Sequence, residues 1–349
     1  MWLNWQARHR LRKLGEQKLK TVKIGLVGLG YMGKIHLKNS LRLKSIAPVA
    51  ACDVTAKGCS FARSIGVKEV YHDYRELLKN PEIDGIVISL PTHLHAECSE
   101  LAAEAGKNIL LEKPLARNSA EGEKIVQVCR KNGVKLMMGY HFRFSPQFLQ
   151  LKHMLAKGTL GQAQVAHATM VGPGPFFHRA EGYAPRPVPS WWFDKELTGG
   201  GALIDLGSHM IDLVQWYFGR IEEVKAYVGH RFNLDFEDYA LCVCKTKSGT
   251  VATVTVGWFS REASAKVEIF GSSKFLSAKR VDSNKAVSLV QMILGLSPAF
   301  NLPYIWELQH FVDCIQNDRT PLSAGEDGLA DLQAILLAYK NAVHLEESI

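Results

Sequence analysis

Asp205 and His209 stand four positions apart in a largely apolar stretch, residues 199–219 (GGGALIDLGSHMIDLVQWYFG). Because residues four apart lie on one face of a helix, Asp205 and His209 are predicted to be neighbours in a buried helix that begins at the glycines. Burying a carboxylate and an imidazole costs free energy unless the two are paired or used. A structural Asp/His pair is one interpretation. Catalysis is the other, because the pKa of histidine suits proton abstraction near neutral pH.

A lysine ends the short apolar run NILLEK, which predicts a buried strand, and Lys113 is followed immediately by Pro114. In a sheet of parallel strands the carboxyl ends face the ligand crevice. Most lysines are surface charges. At this position, however, Lys113 can donate a hydrogen bond to a substrate hydroxyl and stabilise a developing alkoxide.

Three glycines, Gly28, Gly30 and Gly33, follow a predicted strand with the spacing GxGxxG and open a predicted helix. This context favours a dinucleotide-binding turn over a purely structural one. Gly28 permits the tight turn, Gly30 lets a pyrophosphate approach the backbone, and Gly33 allows close packing of strand and helix. Tyr31 and Met32, inside the motif GLGYMG, are counted in the predicted cofactor site.

An acidic residue, Asp53, stands at the end of the next predicted strand, twenty-five residues after Gly28. It can accept hydrogen bonds from the adenosine ribose hydroxyls and repel a 2′-phosphate, which favours NAD as the cofactor. NADP remains possible, because Lys57 nearby could soften that preference. The alternative interpretation is that Asp53 caps the following helix.

The elements that must position these groups alternate from Thr21 to about Tyr140, as short apolar runs and amphipathic stretches. This alternation predicts an α/β Rossmann domain with a doubly wound parallel sheet. The predicted strands are TVKIGLVGL, VAACD, GIVISL, NILLEK and KLMMGY, and the predicted helices lie near residues 31–43, 56–65, 93–106 and 119–132. The last helix has Asn118 and Ser119 as plausible caps.

The pattern changes after about residue 145, since strand patterns follow one another without helices between them. These are KAYVGHRF, YALCVCKT, TVATVTVGWF and AKVEIFG, and helices near residues 303–317 and 325–345 close the chain. Grouped strands predict a separate α+β domain with a mostly antiparallel sheet. A chain of 349 residues is larger than a single hydrophobic core usually supports. We therefore predict a basic extension (1–20), a Rossmann domain (21–142) and an α+β domain (143–349). A one-domain barrel is the alternative fold.

The loop over residues 172–190 and its flank are unusually aromatic. They contain Phe176, Phe177, Tyr183, Trp191 and Trp192. This composition favours a lid over the substrate or an oligomer contact rather than a disordered linker.

The overall charge of +8 does not indicate nucleic-acid binding, because six basic residues and one acidic residue place +5 of it in the first twenty residues. That segment is interpreted as an exposed helical extension or as residues preceding the true domain; a basic docking segment is the alternative.

There is no run of eighteen apolar residues and no secretory signal pattern, so a cytoplasmic protein is expected. Seven cysteines in a chain of this size are expected to be reduced thiols, Cys242 and Cys244 are predicted on one face of a strand, and no metal site is predicted.

Together with GLGYMG, the segments SLPTHLHAE, LLEKPLA, GYHFRFSP and GGGALIDLGSHMIDL resemble the glucose-fructose oxidoreductase/inositol dehydrogenase (Gfo/Idh/MocA) family from Thr21 to about His344. The resemblance implies an NAD(P)-dependent dehydrogenase that acts on a CH–OH group of a sugar, a polyol such as inositol, or a nucleotide-sugar. It also implies a large open-faced sheet in the second domain that forms a homo-oligomer, a dimer or a tetramer.

The resemblance also assigns roles to individual residues. His209 would exchange a proton with the substrate hydroxyl, while Lys113 and Asp205 would position and polarise the substrate. The residues expected along the nicotinamide half of the cofactor are Pro91, Thr92, His95 and Glu112, with Lys113, and Arg143 is expected near the domain junction.

The sequence departs from the family pattern at two places. Many members have Asn or Arg before the Arg-Phe pair, and this chain has His141 and Phe142; the usual Trp-Arg before the glycines is here Trp191-Trp192. Both places bear on substrate recognition, so Trp191, Trp192 and Tyr183 are only provisional substrate residues. A redox-neutral NAD-dependent glycoside hydrolase and a cofactor-sensing regulatory protein remain alternative functions.

Overall fold

The structure is a computed structural model that describes residues 21–179, 182–232, 234–280 and 301–345. The predicted basic extension, residues 1–20, lies outside the described residues.

A six-stranded parallel sheet forms the first half of the molecule, as predicted. Its strands are β1 (Val22–Val27), β2 (Ile46–Cys52), β3 (Glu69–Tyr71), β4 (Gly85–Ile88), β5 (Asn108–Leu111) and β6 (Leu136–Met138). Their spatial order is β3-β2-β1-β4-β5-β6, with every neighbouring pair parallel. The order reverses between β1 and β4, and such a switch point opens a crevice at the carboxyl ends of the strands.

Five helices connect these strands: α1 (Tyr31–Ser40), α2 (Ala56–Ser64), α3 (Tyr74–Leu78), α4 (His95–Glu104) and α5 (Ser119–Lys131). Asn118 caps α5, because its side chain accepts a hydrogen bond from the Glu121 amide, as the sequence predicted. The short elements β3 and α3 were not predicted. Each is too brief to show a periodic apolar pattern.

A second sheet of seven strands follows. Its strands are β7 (Ala163–Val171), β10 (Ile221–Gly229), β11 (Tyr239–Thr246), β12 (Val251–Gly257), β13 (Ser264–Gly271), β14 (Phe275–Lys279) and β15 (Ala342–His344). The order is β14-β13-β7-β12-β11-β10-β15, and the pairs are antiparallel except for β7 with β12 and β10 with β15. The predicted mostly antiparallel sheet is therefore confirmed. The end of the predicted last helix is instead the edge strand β15.

The described helices of this part are α6 (Pro146–Ala156), α7 (Lys195–Thr198), α8 (Ala202–Asp205), α9 (Gly207–Phe218), α10 (Leu302–Gln316) and α11 (Gly325–Lys340). Four of them, α6, α8, α9 and α11, cover one face of the second sheet. Helix α9 packs on β7 and β12, and α11 packs on β10. The helix predicted from the glycines onward is divided at Leu206 into α8 and α9.

Burial alternates along the strands of the second sheet. In β11 every second residue from Ala240 is buried, so Cys242 and Cys244 lie together on the covered face, as predicted. All seven cysteines are buried free thiols. The residues of the opposite face point away from the helices, and several of them are exposed and apolar.

Helix α10 returns to the first sheet. It packs against α1 and β1, and its Leu308, Phe311 and Val312 share a core cluster with Ile24 and Leu26. The predicted division at residues 142 and 143 stays a prediction, because this helix belongs by sequence to the second part and by packing to the first. Among the described residues, none of the helices combines the length and apolar character that a membrane crossing needs.

Candidate active site

The glycine turn between β1 and α1 has the shape that a bound phosphate requires. Gly28 has a φ of +86°, and a Cβ there would lie 2.5 Å from the Ser89 carbonyl oxygen. A Cβ on Gly33 would lie 1.8 Å from the Gly28 carbonyl oxygen, so α1 can approach the turn only with glycine at that position. A Cβ on Gly30 would meet nothing within 4 Å. The turn is closed behind and open at Gly30, at the N-terminus of a helix, which fits the pyrophosphate of a dinucleotide.

The two residues inside the motif begin α1. Tyr31 is largely exposed and Met32 is partly buried, so both border the open side of the turn.

Asp53 lies beside this turn, at the end of β2. Its Oδ2 accepts a hydrogen bond from the Leu29 amide at 2.7 Å, and its Oδ1 accepts one from the Thr55 amide at 2.8 Å. The cap of α2 is Thr55, whose hydroxyl accepts from the Gly58 amide. A Cβ on Gly58 would lie 2.4 Å from the Asp53 carboxyl carbon. The carboxylate is therefore fixed against the glycine turn, as a ribose-binding acid would be.

Four further predicted cofactor residues follow β4 and β5. Pro91 and Thr92 begin a 3₁₀ turn (Thr92–Leu94) after β4. The ring of His95 is buried, and its two nitrogens lie 2.9 Å from the carbonyl oxygens of Pro114 and Leu90. Burial lowers the pKa of His95. His95 thus joins the loops that follow two neighbouring strands.

Glu112 points toward α1. Its Oε1 lies 2.7 Å from Nε2 of His36, and both side chains are buried. Glu112 therefore connects the segment after β5 to helix α1.

Lys113 meets Asp205 across the gap between the two sheets. Its Nζ lies 2.7 Å from Oδ1 of Asp205 and 3.0 Å from the Asp205 carbonyl oxygen. The second carboxylate oxygen, Oδ2, accepts a hydrogen bond from the indole nitrogen of Trp258 at 3.3 Å. The two residues predicted to contact substrate thus come from the segment after β5 and from the end of α8, ninety-two positions apart in the chain.

His209 lies in the first turn of α9, among aromatic rings. Its ring centroid is 4.9 Å from that of His141, 5.1 Å from that of Phe142 and 6.5 Å from that of Tyr140. Within the part of the chain that the structure describes, its buried Nδ1 has no hydrogen-bond partner. Burial first, then the charge of Lys113 and the neighbouring His141 and Arg280, hold the pKa of His209 well below its usual value. The imidazole is therefore neutral near pH 7 and can accept a proton.

The Asp205 carboxylate is thus engaged by Lys113 and Trp258. This arrangement differs from the structural Asp/His pair that the sequence left open.

Arg143 lies on the turn that follows β6 and binds residues of the second part of the chain, so it stands near the junction of the two parts, as expected. Its guanidinium binds Asp212 through contacts of 2.6, 2.9 and 3.1 Å, Asp327 at 3.0 Å and the Leu322 carbonyl oxygen at 2.7 Å. The side chain is 3% exposed. Each guanidinium nitrogen donates to an oxygen of the protein, so we do not include Arg143 in the proposed cofactor site.

The aromatic loop contains the hairpin β8 (Phe176–Arg179) and β9 (Gly182–Pro185) and a 3₁₀ turn (Ser190–Phe193). The ring of Trp192 lies 6.5 Å from Trp258, the residue that donates to Asp205, and 5.6 Å from Trp191. The side chain of Tyr183 lies outside the described residues.

Two family comparisons cover both parts of the chain. Residues 22–140 match the family described as "Oxidoreductase family, NAD-binding Rossmann fold", and residues 148–277 match the "GFO/IDH/MocA C-terminal domain". The chain belongs to the Gfo/Idh/MocA family. It is an oxidoreductase with an NAD-binding Rossmann fold, and the open turn at Gly30 is consistent with that cofactor.

Curated relatives of this Gfo/Idh/MocA enzyme extend over most of its length. A myo-inositol 2-dehydrogenase of Thermotoga maritima is 27% identical over 346 residues, covering 93% of this chain and 97% of the relative. A scyllo-inositol 2-dehydrogenase (NADP(+)) of Bacillus subtilis is 29% identical over 226 residues, covering 64% of this chain and 60% of the relative. Among solved structures, a scyllo-inositol dehydrogenase from Lactobacillus casei with bound NAD(H) and scyllo-inositol shares the fold, with a TM-score of 0.76, 23% identity and coverage of 93% and 97%.

Three side chains around the site of the Gfo/Idh/MocA enzyme were not identified from the sequence as site residues. Trp258 follows β12 and reaches Asp205, and its only signal is an aromatic residue at a strand end. His141 departs from the family pattern at a place that bears on substrate recognition, but the sequence does not indicate its contact with His209. Tyr304 lies on α10 and has no sequence signal, because its place depends on the return of that helix to the first sheet.

Proposed function

We propose that the enzyme transfers hydride between NAD and the carbon of a secondary alcohol, or its ketone, in a sugar, a polyol such as inositol, or a nucleotide-sugar. The observation that carries the proposal is the contact of Lys113 with Asp205 beside a neutral His209. A cation, a carboxylate and a base converge at the carboxyl end of β5, the edge at which the switch point between β1 and β4 opens its crevice.

The bound nicotinamide supplies the group that accepts or gives the hydride. In alcohol oxidation His209 takes the hydroxyl proton as the C–H bond breaks, and in ketone reduction it returns that proton. Lys113 donates a hydrogen bond to the reacting oxygen, and its charge stabilises the alkoxide. Asp205 accepts from Lys113 and orients the substrate, and Trp258 holds the second oxygen of Asp205 in place.

The substrate class follows from relatives that are named as inositol dehydrogenases and from the aromatic residues near Asp205. Trp191 and Trp192 are proposed to contact the apolar face of a ring-shaped polyol, with Tyr183 as a third contact. Pro91 and Thr92 are proposed to border the nicotinamide.

NAD is the proposed cofactor, because the Asp53 carboxylate beside the glycine turn disfavours a 2′-phosphate. Titrating NAD and NADP against intrinsic tryptophan fluorescence tests this choice. We expect tighter binding of NAD, and an Asp53→Asn variant that binds NADP more tightly than the wild type does. Tenfold preference of the wild type for NADP would refute the role of Asp53.

A homo-oligomer, a dimer or a tetramer, is proposed to form through the open face of the second sheet. Large apolar side chains are exposed on that face, and soluble monomers rarely expose apolar patches of this kind. They include Tyr227, Leu241, Val243, Val251 and Phe270. Light scattering after gel filtration should show an oligomer that a double substitution, Leu241→Lys and Val243→Lys, converts to a monomer.

A turnover assay tests the reaction itself. Purified enzyme is incubated with NAD and myo-inositol, scyllo-inositol, D-glucose or a UDP-hexose, and reduced nicotinamide is followed by its absorbance. We expect turnover of at least one polyol or sugar. Because the pKa of His209 is lowered, oxidation should keep its rate down to a pH below 6.5 and fall only when His209 becomes protonated. Absence of turnover with every probe, together with a His209→Ala variant that matches the wild type in every assay, would contradict the proposal.

A further inference from the structure

His141 connects the proposed proton-transfer residue to helix α10. Its ring lies parallel to that of Tyr304, with centroids 4.4 Å apart and planes inclined by 23°. The same ring meets His209 nearly edge-on, at 4.9 Å and 81°. His141 therefore contacts His209 on one side and is held by Tyr304 on another.

These rings come from separate parts of the chain. His141 lies on a 3₁₀ turn (His141–Phe144) that follows β6, His209 lies on α9, and Tyr304 lies on α10. His141 is 8% exposed, so its ring is fixed by packing rather than by solvent. A stacked pair and an edge-to-face pair are both favoured aromatic arrangements, and together they define the plane of the middle ring.

The rings of His141 and His209 contact each other as neutral groups. Burial lowers the pKa of both, and the cations Lys113 and Arg280 act on both in the same direction. The ring of Tyr140, the residue before His141, also faces His209. The nearby carboxylate of Asp205 is bound to Lys113. Two neutral imidazoles can pack closely, whereas two imidazolium ions would repel each other.

We propose that His141 is a positioning residue, which fixes the orientation of the His209 ring and is itself held by stacking on Tyr304. This inference rests on the function proposed for His209. The proposal attributes the positioning of His209 to the ring of His141 rather than to its nitrogens. It also explains why a residue that departs from the family pattern lies against His209.

Two pairs of substitutions separate the ring from its polar atoms. His141→Phe keeps an aromatic ring of similar thickness and removes both nitrogens, whereas His141→Leu removes the ring. Tyr304→Phe keeps the stack, whereas Tyr304→Leu removes it. Phe311→Leu is the matched control, because it removes a buried ring from the same helix within the core around Ile24.

The first measurement does not need a substrate. The enzyme is labelled with ¹³C in its histidine rings, and the His209 signal is assigned by its loss in His209→Gln. We expect the two leucine variants to shift and broaden this signal, and the two phenylalanine variants and Phe311→Leu to leave it near its wild-type position. An unchanged signal in His141→Leu would overturn the proposal.

The second measurement uses the polyol or sugar that gives the highest turnover. A misdirected base lowers kcat more than it raises KM. We expect the leucine variants to lose about tenfold in kcat while KM changes little, and His141→Phe to recover most of that loss. A His141→Phe variant as slow as His141→Leu would show that the nitrogens of His141 act themselves, and would also overturn the proposal. If no probe is turned over, the proposed reaction fails, while the signal of His209 still decides the role of His141.

Discussion

Two ion pairs lie on the same helical stretch of the second part of the chain, and they differ in how completely the protein surrounds them. Asp212 binds Arg143 through three contacts of 2.6 to 3.1 Å, and the two side chains are 1% and 3% exposed. Seven residues earlier, Asp205 binds Lys113 at 2.7 Å, and these side chains are 21% and 17% exposed.

The difference separates a structural pair from a functional one. Arg143 also donates to Asp327 and to the Leu322 carbonyl oxygen, so all three of its guanidinium nitrogens are bonded within the protein. Lys113 and Asp205 keep part of their surface open toward the crevice. Nδ1 of His209 beside them has no hydrogen-bond partner among the residues that the structure describes. A buried charged group whose hydrogen bonds are all made within the protein stabilises the fold. A charged group that is partly exposed and has hydrogen bonds still to make is available to a substrate.

The largest effect expected from this comparison is on catalysis. Replacing His209 by Gln or Lys113 by Met should lower kcat by about 10²- to 10⁴-fold, because each removes a group that acts only in the transition state. Steady-state kinetics with NAD and the preferred polyol measures it, and circular dichroism checks the fold. Variants that keep more than a third of the wild-type kcat would remove the basis for calling this pair functional.

Removing the charge of Asp212, which is paired with the buried Arg143, should lower the stability of the fold rather than kcat. Asp212→Asn leaves Arg143 buried without its main partner, and should lower the free energy of unfolding by about 3 to 5 kcal/mol. Asp205→Asn, at a partly exposed pair, should cost about 1 kcal/mol or less. Urea denaturation of the two variants compares them directly. If Asp205→Asn proves the more destabilising, the two pairs have been assigned the wrong roles.

Asp331 is a buried carboxyl group on α11, near Asp212, and its Oδ1 accepts a hydrogen bond from Gln215 at 2.6 Å. It should make the stability of this region depend on pH. Burial, then the charge of Asp212, raises the pKa of Asp331 in the folded protein. The stability that this proton contributes is present below about pH 4, the pKa of an unfolded aspartate, and is lost as the pH rises through the raised value. Asp331→Asn removes that loss.

Relative to the wild type, Asp331→Asn should therefore gain stability by up to about 1.4 kcal/mol per pH unit between pH 5 and 7. Urea denaturation at several pH values measures the slope, with Glu82→Gln, at an exposed pair, as the control. A difference between Asp331→Asn and the wild type that stays constant with pH would mean that Asp331 is already ionised in the folded protein.

The smallest effect concerns Trp258, which donates to Asp205 at 3.3 Å. Trp258→Phe keeps the ring and removes the donor, and should lower kcat by about threefold to tenfold. Phe236→Leu is the control, because it removes a ring that packs edge-on against Trp258 at 6.2 Å and leaves the indole donor in place. Equal loss of kcat in both variants would show that Trp258 contributes by packing alone.

The sequence predicted most of the fold because the parallel strands are continuous apolar runs and the second sheet alternates strictly. It missed β3 and α3, which are too short to carry a period, and it joined α8 and α9, because a break at the single residue Leu206 leaves the apolar pattern unchanged. In the second part it also did not predict α6, β7 and β14.

The site was predictable where a motif carries its own context. Gly28, Lys113 and Asp205 each stand at the end or beginning of a recognisable element. Contacts that depend on distant segments were not predictable. The partners of Arg143 come from α9 and from the start of α11, and the partner of His141 comes from α10. No local pattern at residue 141 or 143 encodes those neighbours.

The return of α10 to the first sheet also bears on how the protein is made. During synthesis the six parallel strands emerge well before residues 302–316, so the side of β1 that packs with Leu308 and Phe311 stays uncovered until the last part of the chain leaves the ribosome. We expect a fragment that ends at residue 142 to expose this apolar side and to aggregate. The nucleotide-binding part thus completes its core only when helix α10, from the second part of the chain, packs on it.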